Sequence, residues 1–200
     1  MQTAPTLMDT QVACAAIKLA ESTESAPIFN HSVRSYLFAE LLAAHEGLHP
    51  GSDFDSETLF LGCVLHDLGA GTAAAGKERF EIEHGCDRAV VDAVWEAIAL
   101  HSSFGIAQRR GPICYLVNGA VGIDFGRNAD FIDDEAAAVV HARYPRLSMA
   151  KSLVDALTAQ AQRSPEAALP YTMAGEVLRE RHEAGITRLE QIAALGRWGN

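Results

Sequence analysis

Leu59-Phe60-Leu61-Gly62-Cys63-Val64-Leu65-His66-Asp67 runs a short apolar stretch straight into a histidine and an aspartate. Alanine and leucine are abundant around it and β-branched alternation is rare, so the stretch reads as a buried helix and not a strand. It is far too short to span a bilayer. At its inner end an imidazole and a carboxylate are costly to bury unless something pairs with them. Adjacent helix residues do not face the same way, yet both can reach a cation lying between their two directions. The pair reads equally as the cap of a helix end or as half of a metal site.

Outward from that run, apolar spacing of three and four predicts helices at roughly 9–23, 31–47, 56–68, 87–102, 112–125, 134–143, 148–163 and 170–184. Asn30 is the expected N-cap of the second, and Ser56 or Asp55 of the third. Gly69 and Gly71 close the third, and Pro112 opens the fifth. Gly119 weakens the fifth, and Asn118-Gly119 has no alternating runs beside it that would make a hairpin. The expectation is an all-α fold in one domain, 1–200, with its core at about 27–165 and a helical tail at about 170–200. The tail mixes Arg179-Glu180-Arg181 with Leu178, Ile186, Leu189 and Ile192, an amphipathic pattern. It packs by default on its own domain, with a second copy in a homo-oligomer as the alternative. Arg197 to Asn200 are expected to be loose.

The 200 residues are 48% hydrophobic with a formal net charge of −10. That is ample apolar surface for a core, and acidity argues against nucleic-acid backbones and anionic membranes as partners. Met1 to Asp9 lack the basic and apolar regions of a secretory signal. Cys14, Cys63, Cys86 and Cys114 form no CxxC pair, so reduced thiols in a cytoplasmic protein are the expectation.

Three further residues shift the His66-Asp67 reading toward a metal. His31 begins a helical stripe through Val33, Leu37 and Leu41. Asp124 follows Val117, Ala120 and Val121 at helical spacing, which places a carboxylate on an apolar face, where a cation is the usual remedy. His101 follows Val94 and Ile98 in the same way. Alone it would read as a satisfied core histidine. His45, His49, His141 and His182 fall on polar stretches and are expected at the surface.

The order His31, His66-Asp67, Asp124 resembles the H…HD…D signature of the HD superfamily of metal-dependent hydrolases. The text around it is more specific: Phe29-Asn30-His31-Ser32-Val33-Arg34, Cys63-Val64-Leu65-His66-Asp67-Leu68-Gly69, Arg79-Phe80-Glu81, Ala97-Ile98-Ala99-Leu100-His101 and Arg143-Tyr144-Pro145-Arg146-Leu147 occur in that order. Together they resemble the cyanamide-hydratase-like branch, from about Phe29 to about Thr172. The resemblance implies a metal between helices, held by His31, His66, Asp67 and Asp124. Such ligands suit one divalent ion, zinc first, iron or manganese otherwise. It implies water activated for attack on a small nitrogen-containing substrate such as cyanamide or a nitrile. Asp67 would orient that water and His101 would deliver a proton. Glu81, Phe80, Tyr36, Arg34 and Lys77 are the expected residues that contact substrate or orient a ligand, with core packing the commoner role for Tyr36 and Phe80.

Two alternatives stand beside this. Arg34, Lys77 and Arg79 could hold a phosphate, which would make the chain an HD phosphohydrolase, and an HD fold with a metal and little turnover would be a regulatory protein. Gly71-Thr72-Ala73-Ala74-Ala75-Gly76-Lys77-Glu78 comes close to a phosphate-binding loop, but Glu78 replaces its final Ser or Thr and a helix precedes it where a strand should. His84 and His101 occupy the interval in which some HD enzymes place a second metal. The segment from Glu81 to Val94 is about ten residues short against the related family, which favours one metal.

Overall fold

A computed structural model describes residues 5–70 and 85–199. Among them are nine α-helices: α1 (Gln11–Thr23), α2 (Ala26–Glu46), α3 (Ser56–Val64), α4 (Arg88–Leu100), α5 (Pro112–Asp124), α6 (Asp134–Arg143), α7 (Met149–Arg163), α8 (Met173–Ala184) and α9 (Arg188–Leu195). The only extended pairing among the described residues is an isolated bridge between Pro50 and Phe54, so the fold is all-α. None of these helices is long and apolar enough to cross a membrane.

Helix α2 is the axle. Residues 31–39 are buried without interruption, which happens when a helix is enclosed on every side. It packs on α3, α5 and α7, and more lightly on α1 and α6. The helix starts at Ala26 and not near residue 31, because Pro27 fits a first turn whose N–H groups are unpaired anyway. Ser25 is therefore the N-cap. Asn30 is instead inside the helix, where its Nδ2 donates to the Pro145 carbonyl at 2.8 Å.

Helix α5 runs unbroken through Gly119. A Cβ there would come within 2.6 Å of Leu42 Cδ2, so the glycine lets α5 lie close on α2. Beyond the main core, Ile28, Phe125, Met149, Ala150, Leu153 and Ala193 form a second apolar cluster that seats α7 and α9 against the end of α5.

The expected helix at 170–184 and the tail beyond it are two helices, and α9 is fixed by a capping box of Thr187 and Glu190. The last described residues are not loose. Trp198 stacks on Phe38 with ring centroids 5.9 Å apart, and its Nε1 donates to the Ile123 carbonyl at 2.6 Å. Arg197 donates to the Ala129 and Ile132 carbonyls and pairs with Asp134. An aromatic ring with a satisfied N–H outweighs the fraying expected of a terminus.

Candidate metal centre

Helix α3 ends at Val64, earlier than expected, so His66 and Asp67 lie in the turn beyond it. His101 caps α4, and Asp124 is the last residue of α5. Three helix C-termini thus meet the first half of α2, where His31 sits. The negative ends of their dipoles face a common region, which favours a cation there.

Last-turn carbonyls have no partner within a helix, and here they lock the histidines. His66 Nδ1 lies 2.6 Å from the Cys63 carbonyl and His101 Nδ1 lies 2.7 Å from that of Ile98. A carbonyl only accepts, so each Nδ1 carries the proton and each Nε2 presents a lone pair. His31 Nδ1 donates to Asp124 Oδ2 at 2.6 Å with the same result.

His31 Nε2 and His66 Nε2 face each other at 3.2 Å. Asp67 Oδ2 lies 3.4 Å from His66 Nε2 and 3.7 Å from His31 Nε2, buried and without a hydrogen-bond partner among the described residues. Three lone-pair donors converge with no proton between the nitrogens, which is unfavourable unless a cation is shared. Ligands about 2.0–2.2 Å from a tetrahedral ion stand about 3.3–3.6 Å apart, and the triangle matches that edge. Among the described residues these three form a group that could hold a metal ion, all buried, with ligand atoms within 4.8 Å of one another. Burial lowers the His31 pKa, partly opposed by Asp124. Burial also acts to lower that of His66, but the Asp67 carboxylate, the Cys63 carbonyl and Glu24 together outweigh it and the shift is upward. Burial acts to raise Asp67, yet the His66 and His31 imidazoles hold its carboxyl well below the usual range.

The structure does not bring Asp124 into this triangle. Its Oδ1 accepts from Arg34 Nε at 2.7 Å and Arg146 Nη1 at 3.3 Å, and its Oδ2 from Arg34 Nη2 at 2.7 Å and from His31. A carboxylate has about four lone-pair sites, and all are engaged. Asp124 stands behind His31 as the carboxylate that orients the ring. Burial works against its charge, but Arg34 and His31 keep it ionised.

Of the expected substrate contacts, Arg34 is fully buried and serves Asp124 as a two-pronged clamp, with Nη1 on the Tyr144 carbonyl at 3.0 Å. It does not line the cavity. Tyr36 is also buried, its ring edge-on to Phe60 at 4.8 Å, so it packs the core. Lys77, Phe80 and Glu81 lie outside the described residues, as do His84 and the glycine-rich loop. His101 is beside the triangle, its ring 5.0 Å from that of His66.

Sequence reasoning missed Arg146. Its Nη1 also donates to the Asp124 carbonyl at 2.8 Å, and its Nε to that of Gly199 at 3.0 Å. The only signal was its place in Arg143-Tyr144-Pro145-Arg146-Leu147. Also missed was the cavity of about 400 Å³ that opens from the triangle. His31, His66, Asp67 and His101 lie at its base, and Val121, Phe125, Leu153, Leu157, Leu189 and Ile192 form much of its wall.

A helical protein with a buried His-His-Asp donor triangle at the foot of a cavity has the makings of a metallohydrolase. A match to the HD domain covers residues 28–160, and the chain belongs to that family. The chain is also similar to two proteins of Saccharomyces cerevisiae (strain ATCC 204508 / S288c), cyanamide hydratase DDI2 and cyanamide hydratase DDI3. Each is 22% identical over 156 residues, covering 70% of this chain and 68% of the relative. In general terms the chain is therefore a metal-dependent hydrolase or hydratase, of a family that binds divalent metals.

Proposed function

We propose that the chain adds water across the carbon–nitrogen triple bond of a cyanamide or nitrile group. The observation that carries this is the triangle of His31 Nε2, His66 Nε2 and Asp67, whose three residues line the cavity. The similarity to two cyanamide hydratases supports it. Three protein ligands with one open position is the pattern of catalytic, as opposed to structural, zinc sites, and zinc is the ion proposed, with iron or manganese as alternatives. When bound, such an ion supplies Lewis-acid chemistry and lowers the pKa of water.

The chain's own residues do the rest. His31, His66 and Asp67 would hold the ion. Asp124, Arg34 and Arg146 keep the His31 ring turned the right way. Asp67 orients the attacking water. The water oxygen bonds to the nitrile carbon as one carbon–nitrogen π bond breaks, and its electron pair goes to nitrogen. His101, with Nδ1 held by Ile98, takes the water's proton at Nε2 and passes it to that nitrogen. The adduct is an isourea or imidic acid, and transfer of its remaining O–H proton to the same nitrogen turns cyanamide into urea and a nitrile into an amide. The phosphohydrolase alternative loses Arg34, which is spent on Asp124. The absence of any CxxC pair in the sequence fits the cytoplasmic setting proposed with this reading.

The test is elemental analysis of protein purified without added metal, followed by urea release from cyanamide. About one divalent ion per chain is expected, absent from His66→Ala and Asp67→Ala. His101→Gln should keep its metal and lose about 10²-fold or more in kcat. No metal even after reconstitution, or a metal-loaded protein that hydrolyses phosphate esters and leaves cyanamide untouched, would overturn the proposal.

A further inference from the structure

The cavity is larger and more apolar than cyanamide itself needs. Beside His31, His66, Asp67 and His101 the polar side chains of its lining are Ser102, Arg127 and Gln160, and the rest of the wall is mostly aliphatic and aromatic. A volume of about 400 Å³ lies in the range that takes a ligand of many atoms. A substrate as small as cyanamide would leave most of it to water against apolar side chains, an unfavourable contact. At the rim Met173 and Ile192 remain more than two-fifths exposed, apolar surface that a ligand would cover.

The wall has a second property. Met173, Leu189 and Ile192 come from α8 and α9, beyond the residues 28–160 that match the family. Those helices are held firmly. The Thr187–Glu190 capping box starts α9, Arg181 Nη2 pairs with Glu190 at 3.0 Å, and a Cβ on Gly196 would stand 2.8 Å from the Phe125 carbonyl oxygen. This side of the cavity is a preformed surface.

Building on the hydration reading, we infer that the natural substrate carries an apolar group of several carbons beside its reacting head, and that α7 and α9 form the subsite that selects it. Leu153 and Leu157 contribute from α7, and Leu189 and Ile192 from α9. Substituted cyanamides have the required form: an alkyl cyanamide plus water gives an alkyl urea.

The experiment is a series of N-alkylcyanamides, methyl to hexyl, given to the metal-loaded protein. The expected result is a rise in kcat/KM of about fourfold for each methylene until the cavity is full. Leu157→Trp and Ile192→Trp, on separate helices, should each flatten the dependence on chain length. Using two variants, each checked by its melting transition, keeps the test valid if one fails to fold. Turnover that is flat or falls with chain length in the parent overturns the subsite and leaves the hydration reading standing. If no member of the series turns over, the hydration reading fails, and calorimetric binding of the same compounds decides the subsite separately. Affinity that rises with chain length and is lost in the tryptophan variants supports it. Affinity independent of chain length overturns it.

Discussion

Asp124 accepts from Arg34 twice, from Arg146 and from His31, so exchanging it for asparagine does several things at once. An amide cannot satisfy every donor aimed at it, and His31 loses the anion that fixes its ring. Disrupting a carboxylate behind a ligating imidazole weakens metal binding by about 10–100-fold. Asp124→Asn should show that graded loss in competition with a chelator, whereas Asp67→Asn, which alters a corner of the triangle, should lose far more. Equal losses would place Asp124 among the ligands. The variant will also be less stable, by about 3–5 kcal/mol, because two buried guanidinium groups lose their counter-charge. His141 gives a separate effect. Burial depresses its pKa to about 4 from an ordinary value near 6.5, and among the described residues its buried Nε2 has no hydrogen-bond partner. The unfolded chain takes up a proton near pH 6.5 and the folded chain resists until about pH 4. Stability is therefore intact above pH 6.5 and falls as pH drops through that window, by about 1 kcal/mol or less between pH 7 and pH 5 because solvent screens the half-buried ring. In urea titrations at the two values, His141→Phe should lose less stability on acidification than the parent. His31, His66 and Asp67 could be singled out in the sequence because polar groups on apolar stripes are costly to bury, but only together, and with the family resemblance, did they read as a metal site and not as caps or core histidines. Arg34 and Arg146 were not, because what each does depends on a carboxylate far along the chain. His141 was expected at the surface, but the apolar run Ala136 to Val140 precedes it and its half-buried ring packs against Phe38 and Trp198.

Helix interiors were readable from spacing, and their ends were less so. Helix α3 stops short of His66 because the histidine's own Nδ1 takes the Cys63 carbonyl, which would otherwise accept from a further turn. At the end of α5 the Ile123 carbonyl accepts from Trp198, a pairing that no local pattern announces. Gly126 follows with φ at 83°, and a Cβ there would stand 2.8 Å from the Arg197 backbone nitrogen. The C-terminal segment therefore braces the element that carries Asp124. Trp198→Ala removes both the stack on Phe38 and the donor to Ile123. Because the ring is only partly buried, a loss of about 2 kcal/mol is expected, at the lower edge of large-to-small changes. It should appear as a lower urea midpoint. A variant that matches the parent would mean that the brace contributes nothing. Trp198→Phe keeps most of the ring without the N–H, so it separates packing from the hydrogen bond.

For the molecule as a whole, an all-α architecture followed from composition and spacing, since few β-branched runs competed with the helices. The division of labour within it did not follow. Residues 28–160 give the donor triangle its frame, while α8 and α9 close one side of the cavity and could be read beforehand only as an amphipathic tail. The triangle joins α2 to the turn after α3, so an ion held there ties together elements that unfolding would separate. Anything bound by the folded chain and not by the unfolded one stabilises it, by about 2.7 kcal/mol when its concentration is a hundred times its dissociation constant. For a chain of this size that corresponds to a rise in Tm of about 5–10 °C. Protein stripped with a chelator should melt that much lower than protein given back zinc, and the difference should vanish in His66→Ala. It should persist in His101→Gln, whose side chain lies beside the triangle and not in it. A zinc-dependent rise of equal size in His66→Ala would locate the ion elsewhere, whereas its loss in His101→Gln would make that histidine a ligand and require a different group to move the proton.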